Sequence, residues 1–331
     1  MRLLWNKNFG LTNATLPRSI ITNMNTETIK NIFSVLGLPS INEISKLEVG
    51  FSNEVYSVNN QYILKICKDP HNEKAFKRES ILYYHFKDKL PVPQLINYND
   101  SKDLYDRDFM IYHKIHGENL YNVWHKLKDH NRKDLIRQLC KMLQIISSTP
   151  LEDLPSGFDL NPLPNWQDFV LKEFKKYLSI LEQAGTVTET EATKIKSYVQ
   201  AHKSSLNQQK IALVYWDVHF DNVLVKDGNI VGLLDFERTE LASIDFTLNI
   251  VKRMVEQPKK YMSKYAEQFA NDEDYKDLLV WYREYYPELF RFNELNRRLD
   301  IYEIVNLLKE LKNYSHVTEL KSSLVRKLEA D

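Results

Sequence analysis

Residues 211–237 read IALVYWDVHFDNVLVKDGNIVGLLDFE. An apolar run from Ile211 to Trp216 ends at Asp217, a second from Asn222 to Val225 turns at Asp227-Gly228, and a third from Ile230 to Leu234 ends at Asp235. Asp-Gly between β-rich runs predicts a hairpin, because both turn positions want positive φ. A hairpin brings its outer ends together. Asn222 and Asp235 are therefore expected side by side, with Asp217 in the loop before them, as a compact cluster of two carboxylates and one amide.

These groups suit phosphoryl transfer. A carboxylate beside an acceptor hydroxyl can orient it and take its proton, while an amide oxygen and a second carboxylate are hard ligands for Mg²⁺. The spacing D-x-x-x-x-N, followed by an Asp at the end of the next hairpin, matches the kinase catalytic loop. Here the chain resembles the aminoglycoside phosphotransferase and choline kinase group, small-molecule kinases built on the protein-kinase fold. That group usually reads H-G-D-x-x-x-x-N and then I-D-W or a similar tripeptide; this chain has Tyr215-Trp216-Asp217, Asn222 and Leu234-Asp235-Phe236. The resemblance implies Asp217 as catalytic base and Asn222 and Asp235 as metal ligands. Tyr215 stands where the group has a packing His, and Trp216 in place of Gly puts bulk beside the base. A lone Asp near a turn is usually a turn former; three polar groups at this spacing reverse that expectation. A rival metallohydrolase cluster of Asp217, His219 and Asp221 would need a second His-rich stretch, and none is present.

Composition narrows the classes. At 331 residues the chain is long enough for one large or two modest domains with real cores. Its 45 basic and 45 acidic residues cancel, so global charge does not favour a nucleic-acid partner. Cys67 and Cys140 sit in apolar periodic stretches and read as buried, reduced thiols, which fits a cytoplasmic protein. No apolar run approaches the ~20 residues of a membrane span, and the start is too short for a signal-peptide core.

Residues 1–23 carry no periodicity, and Thr26 is placed as the cap of a helix running to Gly37. From Ile44 to Ile66 the pattern alternates like paired strands, interrupted at Gly50–Asn53 and at Asn59-Asn60. In the resembled group a short loop between the first two strands covers the nucleotide phosphates, and the third strand carries a cation. The resemblance thus makes Ser52, Asn53 and Lys65 nucleotide contacts. Glu79, in the helical stretch AFKRESILYYHF, is the partner expected for Lys65, because an ammonium inside a strand needs pairing. The bland alternative is an edge-strand lysine in water. Pro91-Val92-Pro93 starts another strand and Asp108–Ile115 a further one, ending at His116-Gly117. The resemblance makes that last strand the connection between lobes, with Tyr112, His113 and Lys114 at the adenine.

Farther on, Leu135, Leu139, Met142, Leu143 and Ile146 recur at helical spacing. Leu154–Pro164 reads as a loop, followed by a helix from about Trp166 to Gln183 and another opened by the capping box Thr188-x-x-Glu191. Asp245 is expected as a helix cap or a brace of the catalytic loop. The chain from Asn249 to Leu328 reads as helical. Within it the acidic run Asn271–Asp274 and the aromatics Trp281, Tyr282, Tyr285 and Tyr286 offer a site for cationic substrates, although a helix start and core packing explain them more simply.

The expected architecture is α+β and bilobal, protein-kinase-like. Residues 1–25 form an arm, 26–115 a small sheet-plus-helix lobe that binds nucleotide, and 116–331 a mostly helical lobe with the catalytic loop and acceptor-binding helices. The expected protein is a monomer or homodimer without nucleic-acid or membrane partners. It transfers the γ-phosphate of ATP, with GTP as the open alternative, in the presence of Mg²⁺. The acceptor is a hydroxyl of a small molecule: aminoglycosides first, then choline-like amino alcohols, homoserine or a sugar. The alternative is a nucleotide-binding module of the same fold whose acceptor site Trp216 blocks. A protein kinase would need an activation segment, for which Phe236–Asp245 leaves little room.

Overall fold

An Asn-Asn turn and an Asp-Gly turn each fold two strands onto one another, and the architecture grows outward from these two hairpins. The computed structural model describes residues 24–47, 53–155, 158, 165–316 and 318–329. The expectations for residues 1–23 and for Gly50 and Ser52 fall outside these described residues.

The first hairpin belongs to an antiparallel sheet of five strands, β1 (Ile44–Leu47), β2 (Asn53–Val58), β3 (Tyr62–Cys67), β4 (Leu95–Asn99) and β5 (Phe109–His113), in the order β1-β2-β3-β5-β4. Asn59 and Asn60 join β2 to β3 with φ of 51° and 52°, a region asparagine tolerates better than most residues. Every residue of β2 and β3 is buried because both faces of the sheet are covered. Tyr56, Val58, Leu64, Ile66, Phe109 and Ile111 share a core with Ile29, Ile32 and Phe33 of α1 (Thr26–Val35). Val55, Ile63, Cys67, Met110 and Tyr112 share another with Phe76 and Tyr83 of α2 (Glu73–Phe86). Strand alternation therefore puts Lys65, between Leu64 and Ile66, on the α2 side. The cap of α1 is Asn25 rather than Thr26, its side chain accepting from the Thr28 N–H at 2.7 Å.

The second lobe is mostly helical. It contains α3 (Leu120–Trp124), α4 (Asp129–Ser147), α5 (Trp166–Gln183), α6 (Glu189–His202), α7 (Thr247–Glu256), α8 (Lys264–Glu267), α9 (Leu278–Tyr285), α10 (Leu295–Asn313) and α11 (Thr318–Glu329). Two small sheets lie among them. One is β6 (Glu118–Asn119), β8 (Val223–Lys226) and β9 (Asn229–Leu233) in the order β6-β8-β9; the other pairs β7 (Ile211–Tyr215) with β10 (Thr239–Ser243). The fold is bilobal α+β, as its sequence pattern led one to expect. Gly117 lies where the chain enters the second lobe across the β8–β9 hairpin. A Cβ there would meet Val231 Cγ2 at 2.8 Å and the Val225 carbonyl at 3.1 Å, so only glycine permits the crossing. The Thr188–Glu191 capping box opens α6 with both of its reciprocal bonds.

Asp245 is a brace and not a helix cap. Its carboxylate is fully buried and accepts from Arg298 Nε at 2.8 Å, Arg298 Nη2 at 2.9 Å, the Ser243 hydroxyl at 2.5 Å and the Tyr302 hydroxyl at 2.9 Å. Arg298 also donates to the carbonyls of Ser205 (2.5 Å) and Gln208 (2.7 Å). One guanidinium thus ties α10 to the ends of β10 and to the approach to β7. Arg298→Met leaves the Asp245 carboxylate buried without its counter-ion and is expected to lower stability by about 3–5 kcal/mol. Urea unfolding of the variant checks this; an unchanged midpoint would show the pair to be dispensable.

Candidate active site

The second hairpin closes as its turn residues require. Asp227 and Gly228 have φ of 51° and 77°, and Lys226 pairs with Asn229 across them. Val223 pairs with Leu233, which brings Asn222 opposite Leu234, whose N–H donates to the Asn222 carbonyl at 2.9 Å. The Asn222 side-chain Nδ2 donates to the carbonyl of Asp217 at 2.9 Å, so the catalytic-loop candidate is folded back on itself. Tyr215 closes the remaining side. Its hydroxyl donates to the Leu234 carbonyl at 2.6 Å, and its ring stacks on Phe236 at 4.6 Å. Asp217, Asn222 and Asp235 are thereby held at one corner of the second lobe.

Asp235 sits in the left-handed region at φ 59°, an uncommon conformation for a residue with a side chain. Its N–H donates to the Tyr83 hydroxyl of α2 at 2.9 Å, and that hydroxyl donates to Glu79 Oε1 at 2.5 Å. The other Glu79 oxygen accepts from Lys65 Nζ at 2.6 Å, and Lys65 also reaches Asp235 Oδ1 at 3.3 Å. Lys65 is therefore a buried, paired ammonium, and Glu79 is its partner.

Glu237, two residues after Asp235 in the single turn Phe236–Arg238, joins the same cluster. It is buried and accepts from Asn53 Nδ2 at 3.0 Å. One carboxylate oxygen from each of Glu79, Asp235 and Glu237 lies within 4.8 Å of the others. Sequence reasoning missed Glu237; the signal was a second acid in D-F-E immediately after the apolar strand. Burial works against the charge on Lys65, but Asp235, Glu79 and Glu237 override it and raise its pKa well above the ordinary lysine range. Burial pushes Glu79 up to about 7, with Asp235 and Glu237 acting in the same direction and Lys65 opposing. Glu237 is raised by burial and by Asp235, against the pull of Lys65.

Asp217 keeps a partly open carboxylate, with 20% of its side chain exposed. Burial raises its pKa, His219 opposes, Asp235 adds to the rise, and Arg238 and Arg253 lower it. His219 Nε2 is 3.5 Å from Asp217 Oδ1. The net effect is a more basic carboxylate at the cleft, suited to accept a proton. Trp216 does not stand free beside it: its ring packs on Phe246 at 5.4 Å and carries the Arg238 guanidinium 6.0 Å from its centre.

The remaining sequence candidates are placed less centrally. Tyr112 is buried within range of Lys65, Glu79 and Asp235. His113 is exposed and lies against Tyr62 at 5.5 Å, and its N–H donates to the Gln94 carbonyl at 3.1 Å. Lys114 turns back to the β2–β3 turn, with Nζ donating to Asn60 at 2.7 Å and Ser57 at 3.3 Å, while its N–H donates to the Gln61 carbonyl at 2.8 Å. The distal acidic and aromatic groups are structural. Asp274 pairs with Arg132 at 2.9 Å, Asn271 caps a turn, and Trp281, Tyr282 and Tyr286 are buried in the core.

The sequence matches the phosphotransferase enzyme family (APH) over residues 43–274, a span that includes Lys65, Glu79, Asp217, Asn222, Asp235 and Glu237. The chain belongs to that family. It is, by class, a small-molecule kinase. Solved structures with the same fold include the aminoglycoside phosphotransferase APH(2'')-Ib bound to ADP (20% identity, TM-score 0.63, covering 92% of this chain and 96% of that one). The streptomycin–ATP ternary complex of APH(2")-IIa aligns at 21% identity and TM-score 0.67, covering 94% and 98%. The GDP complex of aminoglycoside 2'-phosphotransferase-IIIa aligns at 15% and 0.62, covering 92% and 96%. No curated protein matches the chain.

The donor set of this phosphotransferase fits a hard divalent cation. Three crowded carboxylates face one ammonium, and Asn222, whose amide nitrogen is spent on Asp217, offers an oxygen. In the ion-free protein the raised Glu79 has a definite thermodynamic sign. Its pKa is about 7 in the fold against 4.5 as the ordinary value, so its contribution is fully present below pH 4.5 and is lost as pH rises through 7. Urea titrations between pH 4 and 8 are expected to show wild type losing stability relative to Glu79→Gln across that window; parallel curves would contradict the assignment.

Proposed function

We propose that this phosphotransferase transfers the γ-phosphate of ATP, bound with Mg²⁺, to a hydroxyl of a small molecule, with Asp217 as the base. The observation that carries this reading is the bond from Asn222 to the Asp217 carbonyl, together with the register that places Leu234 opposite Asn222. It supports the reading by bringing the segments that carry an open carboxylate, an amide and a second carboxylate next to one another, the groups that phosphoryl transfer uses.

In the proposed reaction the acceptor oxygen attacks the γ-phosphorus as the bond to the β–γ bridging oxygen breaks. ADP leaves, and the hydroxyl proton passes to the Asp217 carboxylate. Lys65, positioned by Glu79, would meet the α- and β-phosphates, with Asn53, the first residue of β2, beside Glu237 of the same cluster. Asn222 and Asp235 would hold Mg²⁺, which when bound supplies positive charge to the phosphates. Residues 26–115 form the nucleotide lobe and 116–331 the lobe carrying base and acceptor. Tyr112, His113 and Lys114 would lie at the purine, with the N–H groups of His113 and Lys114 already serving Gln94 and Gln61. The same strand can present these groups to GTP.

A binding module that performs no transfer fits less well. Trp216 is held aside on Phe246, and Asp217 remains partly exposed. Asp217→Asn is expected to lower kcat by about 10²–10⁴-fold, the usual contribution of a positioned base, with little change in Mg·ATP affinity. Asn222→Ala and Asp235→Ala are expected to weaken Mg·ATP binding itself. Radiolabelled phosphate transfer and isothermal titration separate the two effects; wild-type turnover in Asp217→Asn would remove the base assignment.

A further inference from the structure

Asn53 and Glu237 stand 184 residues apart in the chain and meet at 3.0 Å, both side chains buried. Bonds that involve Lys65 of β3 and Tyr83 and Arg78 of α2 also cross between the lobes, and the Asn53 bond adds β2 to them. Glu237 is at the same time a member of the charged cluster, with one oxygen within 4.8 Å of the carboxylates of Asp235 and Glu79. The bond therefore ties the first residue of β2 to the segment that carries Asp235.

The bond also fixes which way the Asn53 amide faces. An ionised carboxylate accepts hydrogen bonds and donates none, so Glu237 takes the nitrogen end of the amide and leaves the oxygen at the other end. That oxygen, Oδ1, is buried and has no hydrogen-bond partner among the described residues. A buried amide oxygen without a donor is costly, and native folds keep few of them. The Lys65 ammonium does not serve it, since Nζ donates to Glu79 and Asp235. Ionised phosphates bring no donor either. A nucleotide does bring O–H donors at two other places, the ribose hydroxyls and the waters that Mg²⁺ retains beside the phosphates.

We propose that Glu237 is a positioning residue for nucleotide binding: it takes the Asn53 N–H and so leaves Asn53 Oδ1 to accept an O–H donor that arrives with the nucleotide. This deepens the kinase reading and rests on it. The third carboxylate of the cluster then acts through Asn53 and is not itself a ligand of the ion.

The test is calorimetric titration of Mg·ADP, Mg-free ADP and Mg·tripolyphosphate into the full chain. The proteins compared are wild type, Asn53→Ala, Glu237→Ala, the double variant and Glu237→Gln, each checked for folding by circular dichroism. Asn53→Ala and Glu237→Ala are each expected to raise the Kd for Mg·ADP about 3–10-fold, the worth of one hydrogen bond, and the double variant to raise it no further. Glu237→Gln keeps an oxygen for the Asn53 N–H and is expected to bind Mg·ADP more tightly than Glu237→Ala. A loss that persists with Mg·tripolyphosphate and vanishes without Mg²⁺ assigns the donor to a metal-bound water. A loss confined to the two ADP titrations assigns it to the ribose. Unchanged affinity in Asn53→Ala overturns the positioning role and leaves the kinase reading standing, and this variant alone decides if Glu237→Ala does not fold. Losses that add in the double variant, or Glu237→Gln as weak as Glu237→Ala, overturn it as well, because Glu237 then acts through its own charge. Failure of wild type to bind Mg·ADP overturns both.

Discussion

Around Lys65 one ammonium faces three carboxylates, of which Glu79 and Glu237 are buried and Asp235 is partly open to solvent. Glu79 lies 2.6 Å away, Asp235 3.3 Å away, and Glu237 stands within 4.8 Å of both acids. A buried ion pair is a poor source of stability in itself, because desolvation consumes most of the Coulombic gain. Its value here is positional. Lys65 belongs to β3, Glu79 to α2 and Asp235 to the segment that ends the second hairpin, so the cluster adds charge contacts between the lobes to the apolar packing of Phe236 on Tyr83 and Phe86. The crowding of the acids raises Glu79 and Glu237, which offsets part of the negative charge.

The Tyr83 hydroxyl carries the same coupling into the backbone. It accepts from the Asp235 N–H and donates to Glu79, so the unusual left-handed conformation of Asp235 is held by a helix of the other lobe. Strain of this kind persists where the surroundings over-determine it. Tyr215 plays the complementary part from beneath, through its bond to the Leu234 carbonyl and its stacking on Phe236. A tyrosine at this position thus performs the packing task that the family pattern usually assigns to histidine. The Asp245–Arg298 brace lies one layer farther out and holds β10 against α10.

Arg238 lies beside Asp217, its Nε 4.0 Å from Oδ2, and over the Trp216 ring. The indole gives Arg238 a surface to lie on, which a glycine would not provide.

The chemistry-bearing core was legible in the sequence because it depends on local rules. Asp-Gly and Asn-Asn specify two-residue turns through positive φ, strand alternation places Lys65 on the face opposite Leu64 and Ile66, and a hairpin must return Asp235 to the neighbourhood of Asn222. Tertiary structure alone decided the rest. Glu237 received no role from the sequence and is part of a buried cluster, since its partners Asn53 and Lys65 lie far upstream in the chain. Asp245 could cap or brace until Arg298 of α10 arrived to claim it. The amides of His113 and Lys114 were open on paper and are taken by Gln94 and Gln61 in the sheet. The acidic run at Asn271–Asp274 was resolved into core and cap only when Arg132 met Asp274. Backbone geometry within a hairpin is set by neighbours a few residues apart, whereas burial and charge balance are set by whichever distant segments pack alongside.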